Sequence, residues 1–191
     1  MHVALDTLVS MVSLAVVGCY AWSLRGHFAS PKVPAGAWII SAVVVITSLY
    51  FLFLTWSQHQ KPQAQIVGIA VELAGASLFW AAIAASRTAS LRAAFDEVQP
   101  HGIVTGGPYR YLRHPFYASY LIFWSGWAIA AWSSWTLLPV ATFAILYVMA
   151  ARTEEKKFST TPLALEYQAY RSRTGFFWPR LGRLGRSPTD P

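Results

Sequence analysis

Long apolar runs constrain this chain more than any other feature, because each is long enough to cross a lipid bilayer. A transmembrane helix needs about 20 mainly apolar residues, and the runs at 3–24, 36–57 and 64–86 each meet that requirement. A fourth run, 116–151, has about twice the length of one span and carries a pair of serines near its middle, which favours a tight turn there. The sequence therefore predicts an all-α, multi-pass integral membrane protein with five transmembrane helices, the last two forming a helical hairpin.

Lysine and arginine are distributed unequally between the two sides of the membrane that five spans define. Of the 15 Lys and Arg residues, Lys61 alone falls on the side of the N-terminus, and all the others fall on the opposite side. Because cytoplasmic loops carry the excess of Lys and Arg, we expect the N-terminus outside and the C-terminus in the cytoplasm, with a bacterial inner membrane as the location. The same placement accounts for the net charge of +7 without a nucleic-acid partner.

The chain is interpreted as one membrane domain, because no internal repeat or low-complexity stretch divides the sequence. A helix at the membrane interface is predicted within residues 87–105, and a further helical patch is predicted in the tail before Gly175. The predicted organisation of residues 1–191 is three N-terminal spans (1–86), a cytoplasmic linker with a polar motif (87–115), the helical hairpin (116–151) and a cytoplasmic C-terminal helical segment (152–191).

The polar motif GGPYRYLRHPFYASY, residues 106–120, runs into the fourth apolar run. Proline is tolerated in the first turn of a helix but not in its interior, so Pro115 predicts that the fourth helix starts there. The free N–H groups of that helix start favour a carboxylate, and Arg113 and His114 flank it. Tyr109 and Tyr117 offer aromatic faces for a cation or a base. A ligand with an anion, a cation and an aromatic ring suits this set, and S-adenosylmethionine has all three.

These and other polar residues also have simpler interpretations, which remain open. The Arg and Tyr residues of the motif could anchor the chain among lipid headgroups. Arg152 and Glu155, three residues apart after the last span, share a helical face and either bind a ligand or are solvated where the helix leaves the membrane. Glu72 in the third span is expected to have a protonated or hydrogen-bonded structural role. No metal-ligand spacing, P-loop or GxSxG motif occurs in the sequence, so no metal site is predicted.

Together these segments resemble the isoprenylcysteine carboxyl methyltransferase family and the related phospholipid methyltransferases. The stretch HGIVTGGPY, residues 101–109, is similar to the family pattern H-x-L-V-T-x-G-x-Y, and RHPFY, residues 113–117, is similar to R-H-P-x-Y. Glu154-Glu155 resembles the acidic pair that follows the last span of the family. The chain departs from the family at Ser119, where glycine is frequent. Residues that resemble the tail of the family are Tyr167, Tyr170, Arg173 and Pro179.

The resemblance implies S-adenosylmethionine-dependent methyl transfer to a lipophilic substrate from the membrane, such as the carboxylate of an isoprenylcysteine or a lipid headgroup. Arg152 and Arg173 would contact that substrate as catalytic residues. An amine acceptor also stays open, and His114 or a glutamate would then take its proton. Which glutamate of the acidic pair holds the cofactor stays open as well. The residues that the resemblance assigns to the cofactor are His101, Gly102, Ile103, Val104, Tyr109, His114, Pro115, Phe116, Tyr117, Glu154 and Glu155.

Two other functions are compatible with the same residues. A membrane reductase of the sterol-reductase type has a similar RHP-containing segment and tail, and would bind NADPH. The acidic pair favours the methyl donor over NADPH. A noncatalytic membrane scaffold is the other alternative, and ligand binding would distinguish all three.

Overall fold

The structure, a computed structural model, describes residues 2–26, 35–87 and 102–180. These residues form helices and no β-strand, apart from one isolated backbone bridge between Leu112 and Gly175. His101 and most of the interfacial helix predicted within 87–105 lie outside the described residues. The helices are α1 (His2–Gly26), α2 (Ala35–Ser57), α3 (Pro62–Ser86), α4 (Pro115–Ala130), α5 (Leu137–Phe158) and α6 (Ala164–Arg173), with short 3-10 turns at Gly107–Arg110 and Ser134–Thr136.

Four helices of the described chain are long and apolar enough to cross a membrane, judged by length and composition. They correspond to α1, α2, α3 and α5, over His2–Ser23, Trp38–Ser57, Pro62–Ser86 and Ser134–Phe158. Helix α4 has 16 residues, which is about 24 Å of helix against about 30 Å of hydrocarbon. The all-helical class is therefore confirmed, with four candidate spans, and a fifth crossing by α4 stays a prediction.

Helices α1 and α3 run in the same direction and in register. Gln65 Nε2 donates to Asp6 Oδ1 at 2.6 Å, and Ser13 Oγ donates to Glu72 Oε2 at 2.8 Å. In both pairs the two residues are 59 positions apart in sequence. A constant separation of this kind is expected when two neighbouring helices run parallel. An intramembrane carboxyl is costly unless it is paired or hydrogen-bonded, and the contact with Ser13 confirms the hydrogen-bonded role expected for Glu72.

Helices α3 and α4 approach backbone to backbone through glycines. A Cβ on Gly126 would lie 2.7 Å from the Glu72 backbone nitrogen and 2.8 Å from the Gly68 carbonyl oxygen. A Cβ on Gly68 would lie 2.6 Å from the Gly126 carbonyl oxygen. Small residues allow such approach in membrane bundles, where packing rather than the hydrophobic effect joins the helices. This contact fixes α4, and with it the polar motif at its start, against α3.

Substitution of Gly126 by alanine should lower the melting temperature of the protein in detergent, because neither backbone group facing the new methyl can rotate away. Overpacking of this kind costs about 1–3 kcal/mol. The matched control is Gly18→Ala in α1, where nothing lies within 4 Å of the added Cβ and the better helix propensity of alanine favours folding. Equal melting temperatures for both variants would contradict the close approach of α3 and α4.

Stacked aromatic rings connect α4 with α5 below the polar motif. The ring centroids of Trp124 and Phe143 are 4.3 Å apart, and those of Tyr117 and Tyr147 are 5.5 Å apart. Trp124, Phe143 and Tyr147 are buried, and offset aromatic pairs add to the stabilisation from buried area. The packing holds the start of α4 beside the end of α5, where the candidate site lies.

Candidate functional site

A cavity of about 330 Å³ opens at the end of the molecule where α4 begins and α5 ends. Its walls come from α1, α2, α4, α5, α6 and the segment before the first 3-10 turn, and most of the lining is apolar or aromatic. The lining includes these residues that the resemblance assigns to the cofactor: Gly102, Ile103, Val104, Tyr109, His114, Pro115, Phe116, Tyr117 and Glu154.

The start of α4 lies where the sequence predicts it. Pro115 is the first helical residue and His114 is the N-cap, in agreement with the tolerance of proline in a first turn. The residues before it are held by the chain's C-terminal segment, since the Arg113 backbone N–H donates to the Gly175 carbonyl at 2.8 Å. This backbone pairing places His114 between α5 and the cavity.

Glu154 is the acidic side chain that faces the cavity. Its Oε1 accepts a hydrogen bond from the Tyr117 hydroxyl at 2.5 Å, and its Oε2 lies 3.6 Å from His114 Nδ1. The Glu154 side chain is 30% exposed, whereas that of Glu155 is 9% exposed and is not part of the lining. Consecutive helical residues project about 100° apart, so the two carboxylates of the acidic pair have different partners.

Glu155 is bound by basic side chains of the polar motif. Arg113 Nε donates to Glu155 Oε1 at 2.7 Å, and His114 Nε2 lies 3.2 Å from the same oxygen. The Arg113 guanidinium also donates through Nη1 to the Thr174 carbonyl at 2.6 Å and to the Arg171 carbonyl at 3.2 Å. Glu155 therefore holds the motif and the C-terminal segment together.

His114 has a carboxylate beside each ring nitrogen. Burial disfavours the imidazolium, but the hydrogen bonds and charges of Glu154 and Glu155 outweigh that effect and raise the pKa of His114 above its ordinary value. Because the pKa of His114 is higher in the folded state than in the unfolded state, its imidazolium form stabilises the folded protein. This stabilisation is complete below the unfolded-state pKa of about 6.5 and is lost as the pH rises through the folded-state pKa.

We therefore expect the melting temperature in detergent to fall as the pH rises above about 6.5, up to the raised pKa of His114. The variant His114→Gln keeps a polar side chain without this titration, and its melting temperature should show a smaller slope over the same range. Among the described residues, the exposed side chains of His2 and His59 are present in both proteins and serve as an internal control. Identical pH profiles would contradict the assignment of the slope to His114.

The chain after α6 lies across the start of α4, and we call residues 174–177 the strap. The Gly175 N–H donates to the Tyr111 carbonyl at 2.9 Å, and the Phe176 ring centroid lies 5.0 Å from that of His114. The Tyr170 hydroxyl donates to the Tyr109 carbonyl at 2.8 Å. Burial raises the pKa of Tyr170 to about 12, so this hydroxyl stays neutral and keeps its proton.

Three tyrosines of the lining have no role in the sequence interpretation. Tyr20 in α1 lies 4.6 Å from Tyr120 in α4, and Tyr120 lies 5.5 Å from Tyr147 in α5, measured between ring centroids. Each lies in or at the start of an apolar run. A phenolic hydroxyl within such a run is the sequence feature that could have identified these tyrosines as candidate site residues. Tyr167 and Tyr170, which resemble residues in the tail of the family, also line the cavity.

Arg152 and Arg173, which the resemblance assigns to the substrate, do not line the cavity. Both side chains are exposed, and Arg173 Nε donates to the Ala169 carbonyl of its own helix at 3.2 Å. The arginine that does line the cavity is Arg113.

Comparison with known proteins shows which family this chain is similar to. The sequence model of the phospholipid methyltransferase family matches residues 64–161, a range that contains the polar motif and the acidic pair. A curated relative is the cobalt-zinc-cadmium resistance protein CzcN of Cupriavidus metallidurans, 28% identical over 149 residues, which cover 76% of this chain. The same alignment covers 63% of the relative, so the chain spans less than two thirds of that protein's length.

Proposed function

Because this chain belongs to the phospholipid methyltransferase family, we propose that it transfers a methyl group from S-adenosylmethionine to a lipophilic substrate of the bilayer. The observation that supports the cofactor is the Glu154 carboxylate in a cavity walled by tyrosines. When bound, S-adenosylmethionine supplies an electrophilic methyl group on a positively charged sulfur. A carboxylate and aromatic faces are the protein groups that attract such a cation.

The residues of the cavity divide into groups that bind and groups that position. Glu154 supplies the negative charge, and the Tyr117 hydroxyl fixes one of its oxygens. Tyrosine rings form part of the cavity wall around Glu154, and aromatic faces attract a cation. Glu155 positions Arg113 and His114. The cofactor-binding residues that we propose from the lining are Gly102, Ile103, Val104, Tyr109, His114, Pro115, Phe116, Tyr117 and Glu154.

We further propose that α4 crosses the bilayer and forms a helical hairpin with α5. The stacked pairs between these helices support it, and so does Lys61 before α3, whose Nζ lies 4.6 Å from the ring of Trp132 just after α4. With five crossings, the excess of Lys and Arg puts the cavity end in the cytoplasm and the N-terminus outside.

The described lining suits an amine acceptor better than the carboxylate expected from the resemblance. Arg113 and His114 are the basic side chains of the described lining, and both contact Glu155. A carboxylate acceptor would meet no unpaired positive charge among these residues. An amine must lose a proton when it is methylated, and Glu154 is a group of the lining that can take it.

Two alternatives have less support. NADPH carries a 2′-phosphate that an arginine usually binds, and Arg113 is already paired with Glu155 and two carbonyls. The relative's name refers to metal resistance, but no group of three or more His, Cys, Asp or Glu that could hold a metal ion occurs among the residues that the structure describes. We therefore carry no metal site over from it.

The test is calorimetry on the purified protein in detergent with S-adenosylhomocysteine and, separately, NADPH. The proposal predicts binding of S-adenosylhomocysteine and none of NADPH. Binding of NADPH alone would establish the reductase alternative, and binding of neither compound would favour the scaffold.

A further inference from the structure

Exposed basic side chains surround the cavity end of the molecule, outside the site described above. Within residues 102–114 and 152–180, Glu166 is the only exposed acidic side chain. The surface around α6 and the end of α5 therefore carries a strong positive charge. The exposed basic residues of these two ranges are Arg110, Arg152, Lys156, Arg171, Arg173 and Arg180.

Two large apolar side chains of α6 and the segment after it are also exposed. Leu165 in α6 is 81% exposed and Trp178 after the strap is 76% exposed. Leu165 and Ser172 are seven residues apart and share a face of α6, and Arg180 Nη1 donates to the Ser172 carbonyl at 2.5 Å. Leu165 is therefore exposed on α6 while Tyr167 and Tyr170 face the cavity, and the Arg180 guanidinium lies near the end of the same helix.

We propose that α6 and residues 174–180 form a docking surface for the headgroups of anionic phospholipids in the bilayer that holds the protein. Charge complementarity favours an anionic partner, since Lys and Arg near a membrane surface attract anionic lipid. Exposed Leu and Trp beside them are typical of segments that lie in the membrane interface. The bilayer is expected next to this surface, because α5 is a candidate span whose last turns carry Arg152 and Lys156.

Docking on this surface acts on the cavity, because the same elements form its wall. Tyr167 and Tyr170 of α6 line the cavity, and the strap is joined to the polar motif through the pair Gly175–Tyr111. Anionic lipid bound outside α6 holds this wall against α4.

The experiment uses the full chain in nanodiscs, with Gln168→Cys in a Cys19→Ala background labelled with an environment-sensitive fluorophore. Gln168 is exposed on α6, and this readout requires no methyl transfer. We expect the emission to shift to the blue as anionic phospholipid replaces zwitterionic phospholipid, and the shift to disappear in high salt. Each arginine near the surface contributes roughly a fivefold factor, so Arg173→Gln with Arg180→Gln should weaken docking roughly 25-fold.

The control is Lys61→Gln, which removes a basic side chain at the opposite end of the molecule and should leave the shift unchanged. Melting temperatures equal to that of the parent show that the variants are folded. An equal shift in zwitterionic nanodiscs, or a shift that survives the double substitution, overturns the proposal. So does the same shift on adding soluble polyphosphate to zwitterionic nanodiscs, because the surface then accepts soluble anions.

Discussion

The variant Glu154→Gln should bind S-adenosylmethionine more weakly than the parent while keeping the fold. Glutamine preserves the shape of the side chain and its contact with the Tyr117 hydroxyl, but it removes the negative charge of Glu154 from a cavity lined by aromatic rings. Close charge pairs in binding contribute about 1.5 kcal/mol at the low end of their range, and the partly exposed Glu154 belongs there. The affinity for S-adenosylmethionine, which carries the sulfonium charge, should therefore fall roughly tenfold. Calorimetry in detergent measures the loss directly.

The control for this variant is Glu166→Gln, which removes an exposed carboxylate of α6 that does not line the cavity. Its affinity for the cofactor should equal that of the parent. Unchanged affinity in Glu154→Gln, with a normal melting temperature, would contradict the placement of the cofactor's positive charge beside this residue.

The variant Glu155→Gln should instead unfold more easily. Arg113 and His114 both contact the Glu155 carboxylate, and all three side chains are less than a tenth exposed. Removing one partner of a buried charge pair leaves the other uncompensated, which costs about 3–5 kcal/mol. The carbonyls of Thr174 and Arg171 still accept from the guanidinium, so we expect the lower end, about 3 kcal/mol. Thermal unfolding in detergent at constant pH measures the effect.

Glu166→Gln again serves as the control for stability, because its carboxylate is solvated and its loss should leave the melting temperature unchanged. The strap gives a second readout, since it is held by Arg113. Faster cleavage by a protease near residues 174–177 in Glu155→Gln would follow from release of the strap. A melting temperature and cleavage rate equal to those of the control would contradict the holding role of Glu155.

The sequence alone predicts where α4 starts and identifies the polar motif. Because proline is not tolerated in a helix interior, Pro115 is expected in the first turn of α4. Hydropathy over about 20 residues identifies a span without reference to packing. Local chemistry decides these features. The expectation that residues 102–104 and 114–117 belong to one site comes from the family resemblance, and the structure places both segments in the lining of one cavity.

The rotation of a helix about its axis cannot be read from such local rules. Glu154 and Glu155 differ by about 100° in direction, and only the packing of α5 against Trp124 and Tyr117 decides which one faces the cavity. Arg152 of the same helix is outside the lining for the same reason. A hydrophobic span offers no amphipathic pattern to fix its rotation, because lipid and protein interior are equally apolar.

The tyrosines of the cavity wall required the tertiary fold. Tyr20 and Tyr147 lie 127 positions apart in sequence and meet through Tyr120. Their meeting depends on the parallel register of α1 with α3 and on the glycine contact of α3 with α4. None of these pairings has a short-range sequence signature.

The most direct test of the proposed methyl transfer uses S-adenosylmethionine labelled in its methyl group and a lipid extract of the source cells. The purified protein in nanodiscs should move the label into a lipid fraction, and the labelled product should be an N-methylated headgroup. Glu154→Gln should transfer little label, and Glu166→Gln should transfer as much as the parent. Absence of labelled lipid with the parent protein, despite binding of S-adenosylhomocysteine, would contradict methyl transfer to a bilayer substrate.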